Sequence, residues 1–101
     1  MTKLIPDDLI STIPDLYSTE DEEDPICHIK LFTPDANWTW YITELSMSDG
    51  DTCFGYIVGL ESELGYFSLA EIEAIRGHLK LPVKRDLGFT PTRLSEVKKR
   101  S

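Results

Sequence analysis

A chain of 101 residues, 41% hydrophobic and 28% charged, has the size and composition of one globular domain and not of a disordered segment. No run approaches the roughly 20 apolar residues of a membrane-spanning helix. The formal charge of −8 counts against generic nucleic-acid binding, which depends on neutralising phosphates.

The N-terminus lacks the apolar stretch of a secretory signal, so a cytoplasmic location is expected. Residues 4–13 read as a short helix. Pro6 suits its first turn, Asp7 and Asp8 favour its positive end, and Leu9, Ile10 and Ile13 form an apolar stripe. Pro14 ends it. Residues 18–25 include five consecutive acids from Glu20 to Asp24, which repel one another and bury nothing; a solvated, even disordered, acidic loop is expected. Residues 26–32 alternate Cys27, Ile29 and Leu31 with His28, Lys30 and Phe32, the pattern of a first strand. The two cysteines, Cys27 and Cys53, both fall in strand-like runs and read as buried free thiols. Neighbours in a strand point to opposite faces, so Cys27 and His28 do not make a metal site.

Residues 33–37 carry turn chemistry. Residues 38–45 form a second strand, with Trp38, Trp40, Ile42 and Glu44 on one side and Thr39, Tyr41, Thr43 and Leu45 on the other. At least one tryptophan reads as core, the alternative being that one of them is a partly exposed platform ending at Glu44. An Asp-Gly hairpin loop over residues 46–52 leads to a third strand over 53–60. Its Gly55 and Gly59 imply close approach by a backbone or a ring. A fourth strand covers residues 64–67. Ser68-Leu69-Ala70-Glu71 then opens the main helix as a capping box, and Leu69, Ile72, Ile75 and Leu79 extend it to Leu79. Beyond Pro82 the chain reads as extended, with a short segment at 93–97 and a frayed basic tail at 98–101. The expected fold is one α+β domain over residues 1–101. It is an antiparallel four-stranded meander with the main helix on one face and the short N-terminal helix sealing an edge or end.

Several strings are distinctive together: Leu16-Tyr17-Ser18, residues 30–41 with Asn37-Trp38-Thr39-Trp40-Tyr41, residues 55–59, residues 63–69 with Glu63-Leu64-Gly65-Tyr66-Phe67-Ser68, and residues 76–87. Across nearly its whole length the chain resembles the bacterial family called domain of unknown function 2958. That resemblance implies a small intracellular bacterial protein, often carried on plasmids and other mobile elements, with no established reaction. It supplies no catalytic residues.

Charge is unevenly divided. Residues 1–68 hold 14 acids against two lysines, and residues 69–101 hold four acids against eight bases. An acidic body fits a basic protein partner, or solubility alone. The favoured reading is therefore a non-enzymatic protein-interaction module that engages a basic host or defence protein. An alternative is a small-ligand or hydrolytic site in which Glu44, Glu61 and Glu63 meet near strand ends and Arg76 or Arg85 holds an anion. Asp35, Asn37 and Trp40 complete the candidate binding residues. Glycine-rich phosphate loops, nucleophile elbows and clustered metal ligands do not occur in the sequence, so no catalytic residue, metal or cofactor is assigned. A third reading, nucleic-acid binding, rests on Lys80, Lys84, Arg85, Arg93 and the tail, with Trp40, Tyr41 or Tyr66 for stacking; the acidic remainder opposes it.

Overall fold

The computed structural model describes residues 4–100; Met1, Thr2 and Lys3, and Ser101 of the expected tail, lie outside the described residues. In chain order the elements are α1 (Asp7–Ile10), β1 (Ile26–Cys27), β2 (Ile29–Phe32), β3 (Thr39–Leu45), β4 (Thr52–Val58), β5 (Ser62–Ser68), α2 (Leu69–Ala74), β6 (Lys84–Arg85), β7 (Thr92–Arg93) and α3 (Leu94–Arg100). The fold is α+β, as expected, and β2 to β5 form the expected antiparallel meander. The sheet has five strands instead of four, in the order β5-β4-β3-β2-β6, because Lys84 and Arg85 pair with Phe32 and Leu31. A two-residue strand is too short to leave a period in sequence.

The first strand is also split. His28 N still donates to the Ile42 carbonyl at 2.8 Å, but Ile26 and Cys27 turn away and pair with Arg93 and Thr92. In β3 the pairing passes from Ile42 opposite Gly55 to Glu44 opposite Phe54, so Thr43 is the extra residue of a bulge. The Thr43 hydroxyl donates to the Phe54 carbonyl at 2.9 Å. A bulge reverses the alternation beyond it. Leu45 therefore joins Trp40 and Ile42 in the core, and Glu44 moves to the Phe54 face, the reverse of the regular alternation expected.

Each face of the sheet has its own core. One holds Leu31, Trp40, Ile42, Leu45 and Cys53 against Ile5, Ile13 and the α2 residues Leu69 and Ile72. The other holds Cys27, Tyr41 and Tyr56 against Leu94 and Val97 of α3. Helices thus cover both faces, not one. Residues 98–100, expected as a frayed tail, are the last turn of α3, and Lys98 sits 5.6 Å over the Tyr56 ring.

Both other helices are shorter than their apolar patterns. The first reduces to Asp7–Ile10, although Ile13 beyond it is still buried. The main helix ends at Ala74, with Ile75 extended at φ −71°, ψ 138°, leaving Ile75 and Leu79 at the surface. Its start follows the capping box in that Ser68 Oγ accepts from Glu71 N at 3.3 Å. Asp51 does more, accepting from the Ser68 hydroxyl at 2.6 Å and from Ala70 N at 2.8 Å. A carboxylate on these orphan amides suits the positive helix end.

Gly55 in β4 and Gly59 just beyond its end behave as the sequence implied. A Cβ at Gly55 would strike the Tyr41 carbonyl oxygen, and one at Gly59 would strike the Trp38 ring.

Candidate functional site

Two buried carboxylates fasten loops to the sheet. Glu44, 3% exposed, accepts from Tyr17 N and Thr19 N, both at 2.9 Å, and from the Thr19 hydroxyl. Tyr17 has φ +68°, a left-handed conformation that costs an ordinary residue about 1–2 kcal/mol; the carboxylate bonds offset it. Asp35, 7% exposed, repeats the device: its Oδ2 accepts from Leu79 N at 2.8 Å and Leu81 N at 3.3 Å, on either side of Lys80 at φ +64°. Burial works against the Asp35 anion, but these amides and the nearby His78 outweigh it and hold the carboxyl below its ordinary range. Its Oδ1 has no hydrogen-bond partner and faces Gly77, where a Cβ would collide with it. The chain from 77 to 81 leaves helical geometry because Asp35 takes its amides.

The acidic loop is consequently held at both ends. At its far end Asp24 accepts from Ser95 N at 2.8 Å and the Ser95 hydroxyl at 2.7 Å. Those Ser95 bonds, outweighing the effect of burial, lower the Asp24 carboxyl below its ordinary range. Between the anchors, Glu20, Glu22 and Glu23 stay exposed.

This loop forms one wall of a groove of about 400 Å³; the outer part of β4 and β5 forms another, and Leu94 and Lys98 of α3 close one side. Its floor is aromatic. Tyr66 packs on Phe54 with ring centroids 4.9 Å apart and on Tyr17 at 6.4 Å. Tyr17 and Tyr66 are 61% and 55% exposed, so the rings are available as well as clustered. A hydrogen bond to Tyr17, then burial and the Tyr17, Glu44 and Glu20 charges, raise the Tyr66 phenol above its ordinary range. It is a neutral donor at physiological pH. Beside this groove β5 is a sheet edge, hydrogen-bonded only to β4 among the described strands.

A second, more open hollow of about 540 Å³ lies where β2, β3 and β6 meet the 33–38 turn, lined among others by Lys30, Asn37, Trp38, Arg85 and Asp86. Trp38 is 41% exposed and stacks on buried Trp40, with centroids 6.2 Å apart and planes 20° apart. Lys30 pairs with Asp86 at 3.7 Å.

Of the residues singled out by sequence, Asn37 and Arg85 meet in this hollow. The others are dispersed. Trp40 is core, Asp35 and Glu44 are loop fasteners, Glu61 is exposed in the β4–β5 turn, and Glu63 is exposed on β5 opposite Ile57. Glu44 lies beside Phe54 at one end of β4 and Glu61 beyond Val58 at the other, so the strand-end carboxylates do not converge. Arg76 is not paired with a strand glutamate; its Nη1 donates to the Glu73 and Ile75 carbonyls at 2.8 Å, closing the end of α2. Cys27 and Cys53 are buried and free, with burial pushing each thiol up to about 12. Sequence reasoning missed Tyr17 and Phe54, because the groove joins a loop to a strand far along the chain. No helix among the described residues is long and apolar enough to cross a membrane.

The family model described as "Protein of unknown function (DUF2958)" matches residues 4–99, and the chain belongs to that family. No curated protein and no solved structure matches it.

Proposed function

We propose that this member of the DUF2958 family is a non-enzymatic interaction module that takes a basic segment of another protein in the groove between residues 17–25 and β4–β5. The observation that carries the reading is the joining of Tyr17, Phe54 and Tyr66 to Glu20, Glu22 and Glu23 around one groove. Exposed aromatic rings attract lysine and arginine through their π faces, by about 0.5–1 kcal/mol each in the open. The flanking carboxylates add long-range attraction and a choice of partner sign. Buried Glu44, saturated by loop amides, argues against hydrolytic use of that carboxylate. A partner of this kind, in the cytoplasm, would belong to basic host or defence machinery, where a small element-borne acidic protein could occupy a nucleic-acid-binding surface.

A labelled lysine- and arginine-rich peptide tests this by fluorescence anisotropy. Binding is expected to weaken by about an order of magnitude as salt rises several-fold through the screening range. The Glu20→Gln/Glu22→Gln/Glu23→Gln variant should bind weakly at every salt concentration. Absence of binding at low salt, or binding indifferent both to salt and to the triple substitution, would overturn the proposal.

A further inference from the structure

The open hollow beside Trp38 shares no lining residue with the acidic groove, and its chemistry is different. Lys30 and Arg85 bring two cations to it, against the one carboxylate of Asp86. Asp86 is occupied by Lys30 at 3.7 Å, and the Lys30 ammonium also sits 5.9 Å from the Tyr41 ring centre. Among the described residues, the Arg85 guanidinium makes no hydrogen bond or ion pair, and neither does the Asn37 side-chain amide. One uncommitted cation, one uncommitted amide and one half-exposed indole therefore border the same space.

Trp38 is also held firmly for an exposed ring. It stacks on Trp40, which is only 5% exposed, and it lies against the backbone at Gly59, where any Cβ would displace it. A ring fixed in advance loses little freedom when a ligand stacks on it. The volume, about 540 Å³, falls within the roughly 300–1,000 Å³ common for small-ligand sites.

The geometry points to a binding site for a mononucleotide: a nucleobase stacked on Trp38, its polar edge read by the Asn37 amide, and its phosphate held by the Arg85 guanidinium. A guanidinium suits phosphate because its planar fork gives parallel hydrogen bonds. A single nucleotide fits better than a strand. A strand needs a track of cations, whereas the body of this protein is acidic.

The test titrates the full chain with AMP, UMP, inorganic phosphate and a short oligothymidylate, following tryptophan fluorescence and calorimetric heat. Either mononucleotide should quench fluorescence saturably with a Kd at or below about 1 mM. Inorganic phosphate should bind much more weakly. Arg85→Gln should weaken nucleotide binding about tenfold or more, the scale of one charge-assisted hydrogen bond. Trp38→Leu should do the same through lost stacking, while Trp38→Phe keeps most of the affinity. If Trp38→Leu does not melt cooperatively, Arg85→Gln decides, since that guanidinium has no partner to lose among the described residues. No saturable binding of either mononucleotide, phosphate binding as tightly as the nucleotide, tighter binding of the oligothymidylate, or an Arg85→Gln variant that binds unchanged would each overturn the assignment. Loss of basic-peptide binding in the groove would leave these results untouched.

Discussion

At the scale of single residues, two carboxylates do work that resembles catalysis only on paper. Glu44 and Asp35 are buried acids, a common mark of an active site. Glu44 instead accepts loop amides through both oxygens and Asp35 accepts two through Oδ2, and each loop contains a non-glycine residue with positive φ. Glu44→Ala should strand the Tyr17 and Thr19 amides and cost about 2 kcal/mol in a urea titration. Amide exchange in residues 15–20 should rise with it. A variant as stable and as protected as the parent would mean that the aromatic contacts and the Asp24–Ser95 bonds hold the loop without Glu44. Sequence placed Glu44 near a strand end correctly, but its partners lie more than twenty residues upstream, and no local pattern announces such a pairing. Asp35 escaped in the same way, its amides lying at 79 and 81.

At the scale of elements, the hairpin loop between β3 and β4 is the clearest case of sequence chemistry with an unexpected reach. Asp-Gly specified the turn, and Asp49 closes it by accepting from Asp51 N at 2.8 Å, Thr52 N at 2.9 Å and the Thr52 hydroxyl at 2.7 Å. The Thr52 amide first, then the Asp51 amide and Thr52 hydroxyl, lower the Asp49 carboxyl from 3.8 to about 2. A folded-state value below the unfolded one means stabilisation that is fully present above pH 3.8 and lost as pH falls towards about 2. The melting temperature should therefore hold steady through neutral pH and drop across that acid window. Asp49→Asn keeps an acceptor oxygen for the amides and should shrink the drop; an equal drop in the variant would assign it to other carboxylates, such as Asp24 and Asp35. The apolar period of α2 was legible, but its length was not. Ile75 and Leu79 continue the helical spacing, yet the turn from 77 to 81 belongs to Asp35. The bulge at Thr43 was equally hidden, since both Glu44 and Leu45 suit a strand in either orientation.

At the scale of the whole molecule, the sheet separates two cores that differ in what closes them. Cys53 lies in the core under α1 and α2, and Cys27 in the core under α3. Both thiols are 0% exposed, so an aromatic disulfide reagent should react with neither in the native protein. Leu94→Ala/Val97→Ala should loosen α3 and make Cys27 react well before Cys53. Equal rates would show that the two layers open as one unit. The order of the chain gives this arrangement a further meaning during synthesis. Strands β2 to β5 are complete at Ser68, but the helix that shields Tyr41 and Tyr56 begins only at Leu94. At ordinary translation speeds the ribosome leaves one aromatic face bare for roughly one to five seconds. A nascent chain stalled in that interval would present its sheet to chaperones and to its neighbours, so codon choice between β5 and α3 becomes a determinant of yield.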